Sequence, residues 1–126
     1  MADRVIVNHK NNVAYIRLSH PAQLNVLDIE GWRSLREIVD GVSQNEEVSC
    51  VVIEGEGDKA FSAGSDIKSF LGERNAEDQV REYADALEGA LSVLLNCPHP
   101  TVALISGICV GGGLEIAACC DLRLCG

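Results

Sequence analysis

Three consecutive glycines, Gly111, Gly112 and Gly113, stand between the apolar run Thr101–Ile105 and a stretch of small, helix-forming residues at 114–120. This junction constrains the chain more than any other feature. The run before it is short, rich in β-branched residues and bounded by Pro100 and Gly107, which marks a buried strand. Residues 121–124 read as extended again. A strand that passes through glycines into a helix leaves the first helical N–H groups without backbone partners. Those groups, together with the helix dipole, favour negative charge. Glu115 follows the glycines after a single residue, Leu114. A carboxyl group beside a backbone anion site can move protons on a carbonyl compound. The competing reading of Glu115 is an acid favoured at a helix start by the dipole alone.

The residues upstream supply the framework for this junction. Residues 5–7 and 13–18 are β-rich runs separated by a polar turn, and they read as a hairpin. Residues 19–27 form a loop carrying Pro21. Asp28 is placed to cap a helix whose apolar positions, Ile29, Trp32, Leu35, Ile38, Val39 and Val42, recur at helical spacing. Trp32 on that stripe reads as core. Residues 50–53 predict a second buried strand, and 54–59 a turn-rich break. Residues 73–79 are polar and read as a mobile link. A second amphipathic helix covers 80–95, with Val80, Tyr83, Ala84, Leu87, Leu91, Leu94 and Leu95 on its apolar side, ending before Pro98 and Pro100. The order strand, helix, strand, helix, strand predicts an α/β fold of parallel βα units with right-handed crossovers.

Residues 60–70, AFSAGSDIKSF, form the second notable stretch. Ser62, Ala63, Gly64 and Ser65 are small enough to let a ligand approach the backbone closely. A plain tight loop capped by Asp66 is the alternative.

Composition narrows the functional classes. The 126 residues are 47% apolar and 23% charged, enough for one globular domain with a real core. A net charge of -9 argues against a nucleic-acid surface or a basic membrane anchor. The six cysteines form no C-x-x-C pair, so they read as small hydrophobes in a reducing compartment rather than zinc ligands or disulfides. The first ten residues lack the apolar core of a signal peptide, and no apolar run reaches membrane-spanning length. The expectation is a soluble cytoplasmic protein. Phosphate-binding, dinucleotide and nucleophile-elbow patterns are all absent. His9, His20 and His99 have no partner at helical spacing and read as loop residues, so no metal site is expected.

Taken together, Ala60–Lys68 (AFSAGSDIK), residues 107–124 (GICVGGGLEIAACCDLRL) and the early loop at 20–28 (HPAQLNVLD) resemble the enoyl-CoA hydratase/isomerase family, the crotonase superfamily. The resemblance runs through nearly the whole chain in the family's order. Family members are substantially longer, so residues 1–126 look like the N-terminal part of a crotonase-like domain.

The resemblance implies a spiral of ββα units and a coenzyme A thioester as substrate, with no separate cofactor. It implies an oxyanion hole made by the backbone N–H groups of Ser65 and Gly112. It further implies that Ala63, Gly64, Ser65, Asp66, Ile67 and Lys68 bind the substrate along with Gly112, with Lys68 as the local cation for phosphate. Ala22 stands where many relatives carry a lysine after the proline. Glu115 matches one of two family glutamates that activate water in hydratases; the second would fall beyond Gly126. The implied activity is reversible addition of water to a 2-enoyl-CoA. The alternatives are double-bond isomerisation on the same scaffold, or a non-catalytic fragment that keeps part of the coenzyme A surface. Relatives commonly assemble as trimers or dimers of trimers, and such an assembly is expected here too.

Overall fold

The computed structural model describes residues 3–66 and 76–126. The elements follow as β1 (Val5–Lys10), β2 (Val13–Leu18), α1 (Ile29–Ser43), β3 (Cys50–Gly55), β4 (Ala60–Ser62), α2 (Ala76–Leu95), β5 (Thr101–Ile105), β6 (Ile108–Cys109), α3 (Gly112–Cys119) and β7 (Leu122–Cys125). Each pair of strands is followed by a helix, giving the ββα succession. The main sheet has the order β1-β2-β3-β5-β7, and β4 and β6 make a separate small sheet. In the second and third units, therefore, the first strand joins the large sheet and the second joins the small one.

The β1–β2 hairpin turns on Asn11 and Asn12, both with positive φ (53° and 68°). Asparagine tolerates this left-handed conformation, which suits a two-residue turn between twisted strands. From β2 onward the large sheet is parallel, with Ile16 beside Ile53, Ile53 beside Ala103 and Ala103 beside Arg123. Alternation puts Ala14, Ile16 and Leu18 of β2, Val51 and Ile53 of β3, and Ala103 of β5 on one buried face. That face is covered by Trp32, Leu35, Val39 and Val42 of α1 and by Ala86, Ala90 and Leu94 of α2, in a single cluster. Ile116 and Ala117 of α3 complete it. Burying each of the larger side chains contributes roughly 1.5–3 kcal/mol.

Asp28 caps α1 as its sequence position predicts, its Oδ1 accepting from the Gly31 N–H at 2.7 Å. Helix α2 begins at Ala76, so residues 76–79 are helical rather than a loose link. The strands β4 and β6 have no counterpart in the sequence reading. At three and two residues they are too short to show periodicity, and their pairing is set by tertiary contact.

The cysteines are free thiols, and only Cys120 is fully buried. Burial pushes the Cys120 thiol up to about 12 and raises those of Cys109 and Cys119. Cys125 departs from the expectation of burial. It lies on β7, which ends the sheet order and whose four residues are all exposed. Leu122 and Leu124 of that strand, and Val110 and Leu114 near the glycines, leave an apolar surface open. Among the described residues no helix is long and apolar enough to cross a membrane.

Candidate active site

Two loops meet just beyond the small sheet. One leaves β4 at Ser62 and runs through Ala63, Gly64 and Ser65 to Asp66. The other leaves β6 at Cys109 and enters α3 through Val110 and Gly111. The parallel pairing of Ser62 with Cys109, extended by the Val110 N–H to the Ser62 carbonyl at 3.2 Å, sets them side by side.

The first loop is laid against the early loop almost group by group. The Ala63 N–H donates to the Leu24 carbonyl at 2.9 Å, the Leu27 N–H to the Gly64 carbonyl at 2.7 Å and the Asp66 N–H to the Leu27 carbonyl at 2.8 Å. The last two bonds make a parallel bridge between Leu27 and Ser65. In such a bridge the paired residue's own N–H points away from its partner strand, so Ser65 keeps its N–H free of Leu27. The buried Ser62 hydroxyl accepts from the Gly64 N–H at 3.0 Å and donates to the Asn25 carbonyl at 2.9 Å.

Gly64 is the point of closest approach. Its φ of +98° is one that side-chain-bearing residues rarely adopt. A Cβ placed there would lie 2.7 Å from the Gly112 nitrogen and 3.3 Å from the Val110 carbonyl oxygen. Gly112 has its own constraint, because a Cβ on it would lie 2.7 Å from Cζ2 of the Trp32 ring. Glycine at both places lets the two backbones touch over the indole. Gly112 opens α3, and the hydrogen bonds of that first turn begin with the N–H groups of Gly113, Leu114 and Glu115. Among the described residues the N–H groups of Ser65 and Gly112 have no hydrogen-bond acceptor. Unpaired donors in loops this closely held are the exception in folded proteins and mark places where a ligand can supply the acceptor.

A cleft of about 410 Å³ opens beside Ser65, lined by Ala22, Gln23, Leu24, Val26, Ala63, Ser65 and Asp66. The structure thus brings together Ala63, Gly64, Ser65, Asp66 and Gly112. Ile67 and Lys68 lie outside the described residues. The Asp66 carboxylate is turned to Arg4, whose guanidinium stands 2.8 Å away and also donates to the Val26 carbonyl at 3.2 Å. That pairing covers a negative charge that would otherwise repel an anionic ligand in the cleft. A second depression, about 470 Å³ between α1 and α2, lies away from these loops. Its lining is charged and partly self-paired, with Arg33 3.3 Å from Glu82, and it has the look of an ordinary solvated face.

Glu115 sits in the first turn of α3, one residue beyond Gly113 plus Leu114, and is exposed. Its neighbours in sequence, Leu114, Ile116 and Ala117, are apolar. Helical rotation separates them: Ile116 and Ala117 turn into the core, whereas Leu114 and Glu115 face out.

Two residues that the sequence reading passed over hold the site. Asn25 is 1% exposed, with φ +56°. Its Oδ1 accepts from the His20 N–H at 2.8 Å, and its Nδ2 donates to the Glu56 and Ala60 carbonyls at 3.0 and 2.9 Å. Arg4 ties Asp66 to the early loop and approaches the capping Asp28 at 3.8 Å. Asparagine in a polar loop containing proline carries a turn signal, but nothing in its spacing tells that it is buried.

Fold and loops together define an α/β protein of ββα units with two main-chain donors that are unpaired among the described residues, one of them, on Ser65, at the wall of a cleft. The sequence profile described as enoyl-CoA hydratase/isomerase matches residues 8–126, and the chain belongs to that family. The YngF protein of Bacillus subtilis (strain 168), provisionally named an enoyl-CoA hydratase/isomerase, is 38% identical over 125 residues, which cover 98% of this chain and 47% of that protein. A mitochondrial Delta(3,5)-Delta(2,4)-dienoyl-CoA isomerase of Mus musculus is 27% identical, over 95% of this chain and 39% of the isomerase. The crystal structure of an enoyl-CoA hydratase/carnithine racemase from Magnetospirillum magneticum superposes with a TM-score of 0.92 at 36% identity, covering 99% of this chain and 47% of that one. The fold is therefore the crotonase fold, and the chain spans about half the length, or less, of the curated relatives it matches.

Proposed function

We propose that this chain carries the thioester-binding half of an enzyme that adds water reversibly to a 2-enoyl-CoA. The observation that carries the reading is the pair of N–H groups on Ser65 and Gly112 that have no acceptor among the described residues, with Glu115 in the helical turn that Gly112 opens. In this reading both donors hydrogen-bond the thioester oxygen. Glu115 takes a proton from water as the water oxygen bonds to the β carbon. The electron pair of the double bond moves toward the thioester, and the resulting enolate is stabilised by the two N–H groups. Return of that proton from Glu115 to the α carbon gives the 3-hydroxyacyl thioester and regenerates the carboxylate, so one water is added in all. Loss of one such donor costs about 3–4 kcal/mol of transition-state stabilisation. Coenzyme A enters as part of the substrate and no further cofactor is needed. Ala63 to Asp66, with Ile67 and Lys68 beyond the described residues, would take the nucleotide end. The open apolar side chains Leu114, Leu122 and Leu124 support a homotrimer or a dimer of trimers, in which a neighbour or a further part of the protein covers them.

The test is Glu115→Gln in the native protein, with crotonyl-CoA hydration followed by loss of the conjugated thioester absorbance. Turnover should fall on the order of a hundredfold, with the melting temperature and coenzyme A affinity nearly unchanged. Turnover near that of the parent would remove Glu115 from the chemistry. A second reading, double-bond isomerisation, is favoured by the likeness to the dienoyl-CoA isomerase. There Glu115 would move a proton between carbons and the product would have the mass of the substrate, so mass spectrometry of the product separates the two.

A further inference from the structure

We propose that Tyr83 is a positioning residue for the proposed oxyanion hole, holding the Ser65 donor in register with the Gly112 donor; this rests on the reading of those two N–H groups given above. The argument begins with Trp32, which is fully buried on α1. Its ring edge lies against the Gly112 α carbon, where an added Cβ would come within 2.7 Å of Cζ2. Its indole N–H, beside Cζ2 on the ring edge, donates to the Tyr83 hydroxyl at 2.9 Å. The Tyr83 hydroxyl in turn donates to the Leu27 carbonyl at 3.0 Å.

Leu27 is also the strand partner of Ser65, bonded to Gly64 and Asp66 on either side of it. Tyr83 therefore holds the Ser65 loop through its backbone template, the Leu27 carbonyl that also accepts from the Asp66 N–H. Trp32 connects that grip to Gly112. One pair of aromatic side chains from two different helices, Trp32 buried and Tyr83 partly buried, thus spans both donors. Oxyanion stabilisation needs donors held within a few tenths of an ångström of their working positions, and side chains locked by packing and hydrogen bonds provide this. Nothing in the sequence pattern sets Tyr83 apart from the other apolar positions of α2.

The test is Tyr83→Phe in the native protein, with crotonyl-CoA carrying a carbon-13 label at the thioester carbonyl. Infrared difference spectra report the pull on that carbonyl directly. Wild type should shift the carbonyl stretch to lower frequency on binding, and the variant should shift it less. Turnover should fall roughly tenfold, while KM and the affinity for coenzyme A itself hold within about twofold. A merely structural tyrosine would lower the melting temperature and leave the bound carbonyl frequency alone. Equal shifts in wild type and variant overturn the positioning role and leave the oxyanion hole standing. No shift in the wild type overturns the oxyanion reading, and the positioning role falls with it. Should Tyr83→Phe not fold, Trp32→Phe removes the indole N–H that ties Tyr83 to the Gly112 side; a smaller shift is expected, and an undiminished one overturns the proposal.

Discussion

Gly64→Ala puts a methyl group into the narrowest part of the candidate site, and its consequences can be worked out. The native φ is +98°, and holding an alanine there costs about 1–3 kcal/mol. The new Cβ would lie 2.7 Å from the Gly112 nitrogen, 3.3 Å from the Val110 carbonyl oxygen and 3.4 Å from the Gly112 α carbon. These are main-chain atoms and cannot rotate aside. They are pinned by the Gly113 N–H to the Val110 carbonyl at 3.0 Å and by the Val110 N–H to the Ser62 carbonyl at 3.2 Å. Relieving the overlap means displacing the start of α3, at roughly 1–3 kcal/mol more. A chain of 126 residues loses about 4 °C of melting temperature per kcal/mol, so a fall of about 10–20 °C is expected. Turnover should suffer more than stability implies. The methyl blocks the Gly112 N–H itself, and one missing oxyanion donor lowers turnover about 100- to 1,000-fold. Gly57→Ala separates the two effects: its φ is +81°, but a Cβ there meets nothing within 4 Å. It should lose only the 1–2 kcal/mol of backbone strain and keep its turnover. The measurements are differential scanning calorimetry and crotonyl-CoA hydration in the native protein. If Gly64→Ala turned over within a few-fold of Gly57→Ala, the gap between these backbones would not be where the chemistry happens.

Two further outcomes follow from burial and hydrogen bonding. Asn25→Ala strips the His20 N–H and the Glu56 and Ala60 carbonyls of their partner in a site closed to water, and should destabilise by about 2–4 kcal/mol; a melting temperature unchanged within about 2 °C would show that the hub does not hold the loops. Burial raises the Cys120 thiol from 9.0 to about 12, so the unfolded chain gives up its proton first. The stabilisation this represents is complete below pH 9 and is lost as pH rises toward about 12. Urea midpoints should therefore fall through this range more steeply in the parent than in Cys120→Ala, and iodoacetamide at neutral pH should label Cys125 while sparing Cys120. Equal slopes in the two proteins, or labelling of Cys120 first, would contradict the burial argument.

What could be read in the sequence was whatever has a period or a fixed chemical signature. The stripe from Ile29 to Val42 and the cap at Asp28 predicted α1, and both are present. The run before Pro100 ended α2, and the alternation in 13–18 gave β2 its buried face. The short strands β4 and β6 were missed because their partners lie about fifty residues apart in sequence, and no local pattern encodes that pairing. Trp32 was correctly placed in the core, yet its contact with Gly112 and its bond to Tyr83 depend on two helices meeting. The exposure of Glu115 is not legible in its neighbours along the chain. A linear list of neighbours ignores the 100° turn per helical residue, which carries Leu114 and Glu115 out while Ile116 and Ala117 go in.

The division of labour within the site explains how one scaffold can host relatives with different reactions. The donors on Ser65 and Gly112 belong to the main chain, and their placement depends on β4–β6 pairing, the Leu27–Ser65 bridge and two close glycine contacts. None of these depends on which reaction follows, because hydration and isomerisation both build negative charge on the same thioester oxygen. In the proposed reading Glu115, which moves a proton, is by contrast an exposed side chain in the first turn of α3, which can be exchanged without disturbing the core. On that proposal, stabilisation of the enolate is tied to the fold, whereas the choice of where protons go is left to residues such as Glu115. The same logic says where substitutions will be tolerated. Changes at Gly64, Gly112, Trp32 or Asn25 should abolish every reaction of this type together, because they move the donors. A change at Glu115 should abolish one reaction and leave the bound thioester carbonyl as strongly polarised as before.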